Sequence, residues 1–230
     1  MRVVVHQPNY LPWLGFFKKM ALCDAFILLD NVQYPRREFC NRTRVKSPQG
    51  AVWLTIPVIR GSINQQIREV KLFEPERNLV QQSKVLRHYY GQAPYYRLLA
   101  TYLEPIFAED WAELLPLNVA LIKALADILG ISTPLLFASG LGEPSGVKSE
   151  RIIAICRQLG ADTYLSGQGG RTYNDPGAFA AAGLKLVYQN FTPPEYPQGG
   201  EAFIPGLSVL DLIAYTGLAS RRYLAEGSRG

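Results

Sequence analysis

The sequence predicts a layered α/β fold, a mostly parallel sheet carrying a helical insertion, and three observations predict it. Short apolar runs of strand length alternate with segments of helical period, which is the pattern of parallel βαβ units. Several of these runs end in polar or glycine-rich turns, where open α/β sheets bind their ligands. Between about 76 and 130 only the helical period persists, which marks the insertion.

The elements follow in order. Residues 2–6 form a first strand around Val3-Val4-Val5. Trp13, Phe16, Phe17 and Met20 recur at helical spacing and predict a helix over 13–23. A second strand covers 25–30, a third candidate is 51–58, and 67–72 alternates well enough to be a fourth. Helices follow over 78–90 and 95–107, separated by the breaker Gly91-Gln92-Ala93-Pro94, then over 111–129, capped by Gly130. Residues 134–138 read as a short buried strand, 148–159 as a helix, and 162–166 as a strand that opens into Gly167-Gln168-Gly169-Gly170. A short helix over 177–182, a strand over 185–188 and a helix capped by Ser208 complete the pattern. The simplest organisation is one domain over residues 1–230 with a helical subdomain at about 76–130.

Composition narrows the function. With 48% hydrophobic and 19% charged residues the 230-residue chain reads as an ordinary soluble globular protein and not a disordered one. The net charge of +5 is moderate, and the basic residues concentrate between Lys18 and Lys46, which fits a site for phosphates or carboxylates. They form no helix stripe, so nucleic acid is not expected as a partner. Cys23, Cys40 and Cys156 form neither a disulfide framework nor a metal-ligand pattern, and a reducing, cytoplasmic setting is expected. No secretory leader is expected, because Pro8 and Pro12 interrupt the apolar start, and no run of 18 uncharged apolar residues predicts a membrane span. No metal site is expected, and neither a cofactor nor an oligomeric state is legible.

The candidate site gathers at strand ends. His6 is followed by Gln7, Asn9 and Tyr10 on a loop that Pro8 and Pro12 stiffen, and four hydrogen-bonding side chains there point to function more than to packing. His6 is expected to act in acid–base transfer or charge stabilisation, with Asp30 as its catalytic companion. Gln33 adds an amide suited to a small substrate, and Asn41, Arg42 and Arg44 a cationic fork for an anion. Arg36 and Arg37 read as a solvated turn, and a nucleophilic Cys40 has no evident partner nearby in sequence. Ser166 and Gly167 open a loop whose amides can approach an anion, and Tyr173 helps to shape the pocket. This reading requires His6 and Arg42 to converge on one concave pocket above the sheet.

The runs HQPNYLPWLGFFKKMALCDAFILLDNVQY, NRTRVK, WLTIPV, GADTYLSGQGG, YNDPGAF and FIPGLSVLDLIAYTG together resemble the WbqC-like protein family, in order and over almost the full length. The resemblance implies work in bacterial surface-polysaccharide (O-antigen) biosynthesis, on an activated sugar or its acyl donor. Where the family usually has an aromatic–polar pair before the NR motif, this chain has Phe39-Cys40. The layout of strand, histidine loop, helix, strand and Gln33 is also similar to pantothenate synthetase and related ligases, which implies a nucleotidyltransferase/Rossmann-like topology. Those ligases carry a second histidine where this chain has Leu11-Pro12-Trp13-Leu14. The leading expectation is therefore an enzyme, a transferase or amide-forming ligase, that joins an acyl or aminoacyl group to an amino-sugar nucleotide. The alternatives are an ATP-dependent carboxylate–amine ligase and a non-catalytic scaffold for a glycosyltransferase complex.

Overall fold

The β-branched run Val3-Val4-Val5 is buried at the centre of a parallel sheet, as a strand covered on both faces must be. The computed structural model describes residues 1–142, 146–200 and 202–225. In chain order the first elements are β1 (Arg2–His6), α1 (Leu14–Ala21), β2 (Ala25–Leu28), β3 (Arg42–Ser47) and β4 (Gly50–Thr55). A helical stretch follows: α2 (Pro75–Tyr90), α3 (Tyr96–Ala108) and α4 (Leu114–Leu129). The chain then returns to the sheet through β5 (Leu135–Phe137), α5 (Ser149–Gln158), β6 (Thr163–Ser166), α6 (Pro176–Ala181) and β7 (Lys185–Tyr188). It closes with α7 (Val209–Thr216) and α8 (Arg222–Ala225).

Among the described residues the main sheet has five strands, all parallel, in the order β5-β2-β1-β6-β7. The layered α/β architecture is therefore the one the alternation of periods predicts. Side chains split by parity: Val4, Phe26 and Leu165 pack with α1, the helical stretch and α7, whereas Val3, Val5, Ile27 and Tyr164 pack with α5 and α6. Phe16, Phe17 and Phe26 are fully buried on the first face, where each ring contributes about 2–3 kcal/mol of burial. α4 ends on Gly130, which takes the left-handed φ of 72° and donates to the Ala126 and Asp127 carbonyls.

One strand expectation is met outside the main sheet and another is corrected. The third strand candidate lies in a separate two-stranded antiparallel sheet, and its partner is β3, which covers most of the NRTRVK motif. Residues 67–72 are not a strand: Ile67–Glu69 make a 3₁₀ turn. Ile67 and Val70 are both buried at a spacing of one tight turn, and Glu69 reaches back to the Gln66 amide to cap it.

The connections locate the site. From β1 the chain steps to β2 and β5 on one side, and β6 and β7 lie on the other, so the order reverses between β1 and β6. The loops that leave the two carboxyl ends diverge there and open a crevice.

Candidate functional site

Two clefts open beside the carboxyl edge of the sheet. The first, of about 620 Å³, is lined by His6 and Gln7 from the end of β1, by Asn31 and Gln33 beyond β2, and by Tyr164 and Tyr173 from β6 and its loop. Lys148 and Arg151 from the start of α5 and the amides Asn64 and Gln66 complete the polar lining, and among the described residues no carboxylate takes part. The second, of about 520 Å³, is lined by Arg36, Arg37, Arg42 and Arg60 together with Tyr34 and Asn41. A third void, among α2, α3 and Leu210, admits only about 10 Å³ and is mostly apolar, so it carries no chemistry.

A thin wall separates the two clefts. Gln33 pairs with Gln66 in antiparallel fashion, Tyr34 donates to the Gln65 carbonyl at 2.8 Å, and Ile67 donates to the Val32 carbonyl at 3.0 Å. Extended backbone sends successive side chains to opposite faces, so Gln33 and Gln66 look into the first cleft and Tyr34 and Gln65 into the second. His6 and Arg42 therefore line adjoining clefts and do not converge on one.

The His6 ring meets Phe16 edge to face at 5.0 Å and stacks on Phe26 at 6.2 Å. Its Nδ1 lies 2.9 Å from the Gln7 carbonyl, which can only accept, so Nδ1 carries the proton and Nε2 keeps its lone pair. Burial, aided by the charge of Lys19 and opposed by the Gln7 hydrogen bond, pushes the imidazole pKa down to about 3. His6 is thus neutral near pH 7, fit to orient a donor at Nε2 and too weak a base to hold its proton.

The loop after His6 turns inward. Leu11 adopts φ 44°, and Asn9, Tyr10 and Leu11 are all buried. The Tyr10 hydroxyl donates to Gln82 Oε1 at 3.0 Å inside the core, so its expected substrate contact is corrected to a packing role, and Asn9 lines neither cleft. Asp30 is corrected as well: it is 2% exposed, and its two oxygens accept from the Ser139 amide at 2.9 Å and the Ser139 hydroxyl at 2.5 Å. This carboxylate joins the exit of β2 to the exit of β5. Ser166 is buried, donating to the Gly167 carbonyl and accepting from Asn174, so it holds the loop and does not face a ligand.

Gln7, Gln33 and Tyr173 line the first cleft, and Asn41 and Arg42 line the second. Asn41 also ties its strand to the Ile56 carbonyl at 3.0 Å. Arg36 and Arg37, read as a solvated turn, are exposed but face the second cleft, because the 59–62 loop lies opposite and Gly61 accepts from Arg36 at 3.3 Å. Burial pushes the Cys40 thiol up to about 12, so at neutral pH it is no nucleophile.

Three features escape a sequence reading. Lys19 is 4% exposed on the apolar helix α1, and a Cβ placed on Gly167 would sit 3.3 Å from its Nζ. Burial pulls its pKa down to about 8, and among the described residues no side chain or carbonyl pairs with it. The only hint was a lysine pair inside an otherwise apolar run. Lys148 and Arg151 flank the first turn of α5, whose acidic residue is Glu150, and both cations line the first cleft. Asn31 is 6% exposed, and its Oδ1 lacks a hydrogen-bond partner beside the first cleft.

Comparison with known proteins adds a family. The model of the WbqC-like protein family matches residues 7–223. The chain is 34% identical over 226 residues to "Uncharacterized protein Rv1507c" of Mycobacterium tuberculosis (strain ATCC 25618 / H37Rv), covering 97% of each chain. No solved structure matches. Among the described residues no helix is long and apolar enough to cross a membrane.

Proposed function

The chain belongs to the WbqC-like protein family, and on that premise we propose an enzyme that moves an acyl or aminoacyl group onto the amine of an amino-sugar nucleotide, in the assembly of bacterial surface polysaccharide. The observation that carries this reading is the lining of the 620 Å³ cleft: five side-chain amides, two tyrosines, two cations and, among the described residues, no carboxylate. Amides offer a donor and an acceptor together, which suits the hydroxyls of a sugar. Tyrosine faces stack on flat or apolar ring surfaces, and Lys148 and Arg151 suit the phosphates.

In the reaction the amine lone pair forms the new carbon–nitrogen bond. The bond from the acyl carbon to its leaving group breaks, its electron pair departs with that group, and the nitrogen sheds a proton to water. Neutral His6 accepts a hydrogen bond from the amine at Nε2 and so aims its lone pair. Gln7 and Gln33 fix the sugar, and Asp30 acts at one remove, through the Ser139 clamp.

A thermal-shift screen with ATP, CTP and a panel of nucleotide sugars tests this. A nucleotide sugar is expected to raise the melting temperature in proportion to the logarithm of its excess over Kd, and Arg151→Ala to abolish the shift. Once the substrate is found, His6→Ala is expected to lower kcat about a hundredfold. No stabilisation by any nucleotide sugar, or full activity in a folded His6→Ala protein, would overturn the reading.

A further inference from the structure

The second cleft presents a problem of charge. Arg36, Arg37, Arg42 and Arg60 face one volume of about 520 Å³, and among the described residues no aspartate or glutamate lines it. Like charges gathered without a counter-ion repel, and surface arginines are otherwise free to fan out into solvent. Here at least two of them are held. The Arg42 guanidinium lies over the Trp53 ring, 4.1 Å from its centroid, and Arg36 is tethered to the Gly61 carbonyl.

One donor is left unused. Arg42 Nε is buried and, among the described residues, has no hydrogen-bond partner, although a buried guanidinium nitrogen normally has one. Arg37 adopts φ 60°, a left-handed conformation that a residue with a Cβ takes at a cost. Strain, an unsatisfied donor and uncompensated charge all meet at this cleft. An anion would settle the charge and satisfy the donor.

The number of guanidinium groups selects the ligand. One forked donor suffices for a carboxylate, whereas four spread around a cleft of ligand size suit several linked phosphates. We infer that this arginine cleft is a second substrate site, which takes the phosphate chain of a nucleoside polyphosphate. The inference rests on the proposed transfer in one respect: the amide-lined cleft is reserved for the sugar-bearing substrate. The wall of residues 32–34 and 63–67 then stands between the two ligands, with Gln33 facing one and Tyr34 the other. Two sources share this chemistry: ATP, and the 3′-phosphorylated ADP portion of coenzyme A.

Calorimetric titration of the full chain with ATP, with coenzyme A and with inorganic phosphate separates the possibilities. ATP or coenzyme A is expected to bind, and whichever binds identifies the source. Arg60→Ala, in a loop, and Arg42→Lys, which keeps the charge but loses the fork, are each expected to weaken that binding at least about tenfold. Arg151→Ala, in the neighbouring cleft, is expected to leave it unchanged. Should a nucleotide bind with this pattern while no nucleotide sugar binds anywhere, the arginine site stands and the proposed acceptor falls. Absence of heat from both nucleotides, binding by inorganic phosphate alone, undiminished affinity in both arginine variants, or an equal loss in Arg151→Ala would each overturn the inference.

Discussion

Buried Lys19 and half-buried His6 are ionisable groups whose positive charges repel one another. The imidazole is pushed down to about 3, first by burial and second by the lysine, and the lysine is pulled down to about 8 by burial. For a buried lysine, a fall from 10.5 to about 8 corresponds to roughly 3 kcal/mol against the charged form at pH 7, which chain packing must offset. Lys19→Met, similar in length and apolar, is therefore expected to raise the melting temperature at pH 7. It should also raise the His6 pKa, read from imidazole proton shifts against pH, yet leave it below 6.5 because burial is the larger cause. An unchanged His6 titration would show that the lysine charge does not reach the ring. The His6 pKa is lowered on folding, so its share of stability is present above pH 6.5 and is lost as pH falls toward 3.

At the scale of elements, α7 carries a carboxylate of the opposite behaviour. Asp211 is fully buried and accepts from the Tyr196 hydroxyl at 3.0 Å. Burial, partly countered by hydrogen bonding to Tyr196 and Tyr90 and by the charge of Lys46, raises its pKa from 3.8 to about 6. Since the folded value lies above the unfolded one, its contribution to stability is complete below about pH 4 and lost as pH rises through 6. Asp211→Asn keeps an acceptor for Tyr196 and cannot ionise. It is expected to stabilise the protein above pH 6 by up to roughly 3 kcal/mol and to change it little at pH 4, measured as urea midpoints across pH. Sequence patterning reached the elements whose apolar residues form an unbroken run of strand length or recur at helical spacing. β1, α1 and β2 are legible because Val3, Val5, Phe16 and Ile27 fill the core at the period of their elements. β3 was hidden because its outward residues are Arg42, Arg44 and Lys46, which read as site chemistry, while inward Thr43 and Ser47 are polar. The site was legible as a collection of residue types at strand ends. Its division was not, because the wall between the clefts depends on a pairing between residues 32–34 and 63–67 that no local pattern encodes.

On the scale of the whole molecule, the helical stretch is packed into the sheet and not appended to it. One continuous core joins Val4 and Phe26 of the sheet, Val45 and Leu54 of the hairpin, Leu86 and Leu121 of the helices and Ile213 of α7. Asn118, buried in α4, reinforces the joint by donating to the Pro8 carbonyl at 3.0 Å and the Cys40 carbonyl at 2.8 Å, the backbone that carries Gln7 and Arg42 on either flank. A core shared in this way predicts one cooperative transition for the sheet, hairpin and helices, with no separately folding helical subdomain. The three tryptophans are placed to test it: Trp13 at the sheet edge, Trp53 in the hairpin and Trp111 beside the helices. Variants that each retain one tryptophan are expected to show the same slope of stability against urea, whichever part of the fold reports. Asn118→Ala, which leaves two buried carbonyls without a donor, should destabilise all three signals together by about 2–4 kcal/mol. A Trp111 signal that melts apart from the Trp13 signal, in the parent or after Asn118→Ala, would make the helical stretch a separate cooperative unit and remove its claim to hold the loop beneath both clefts.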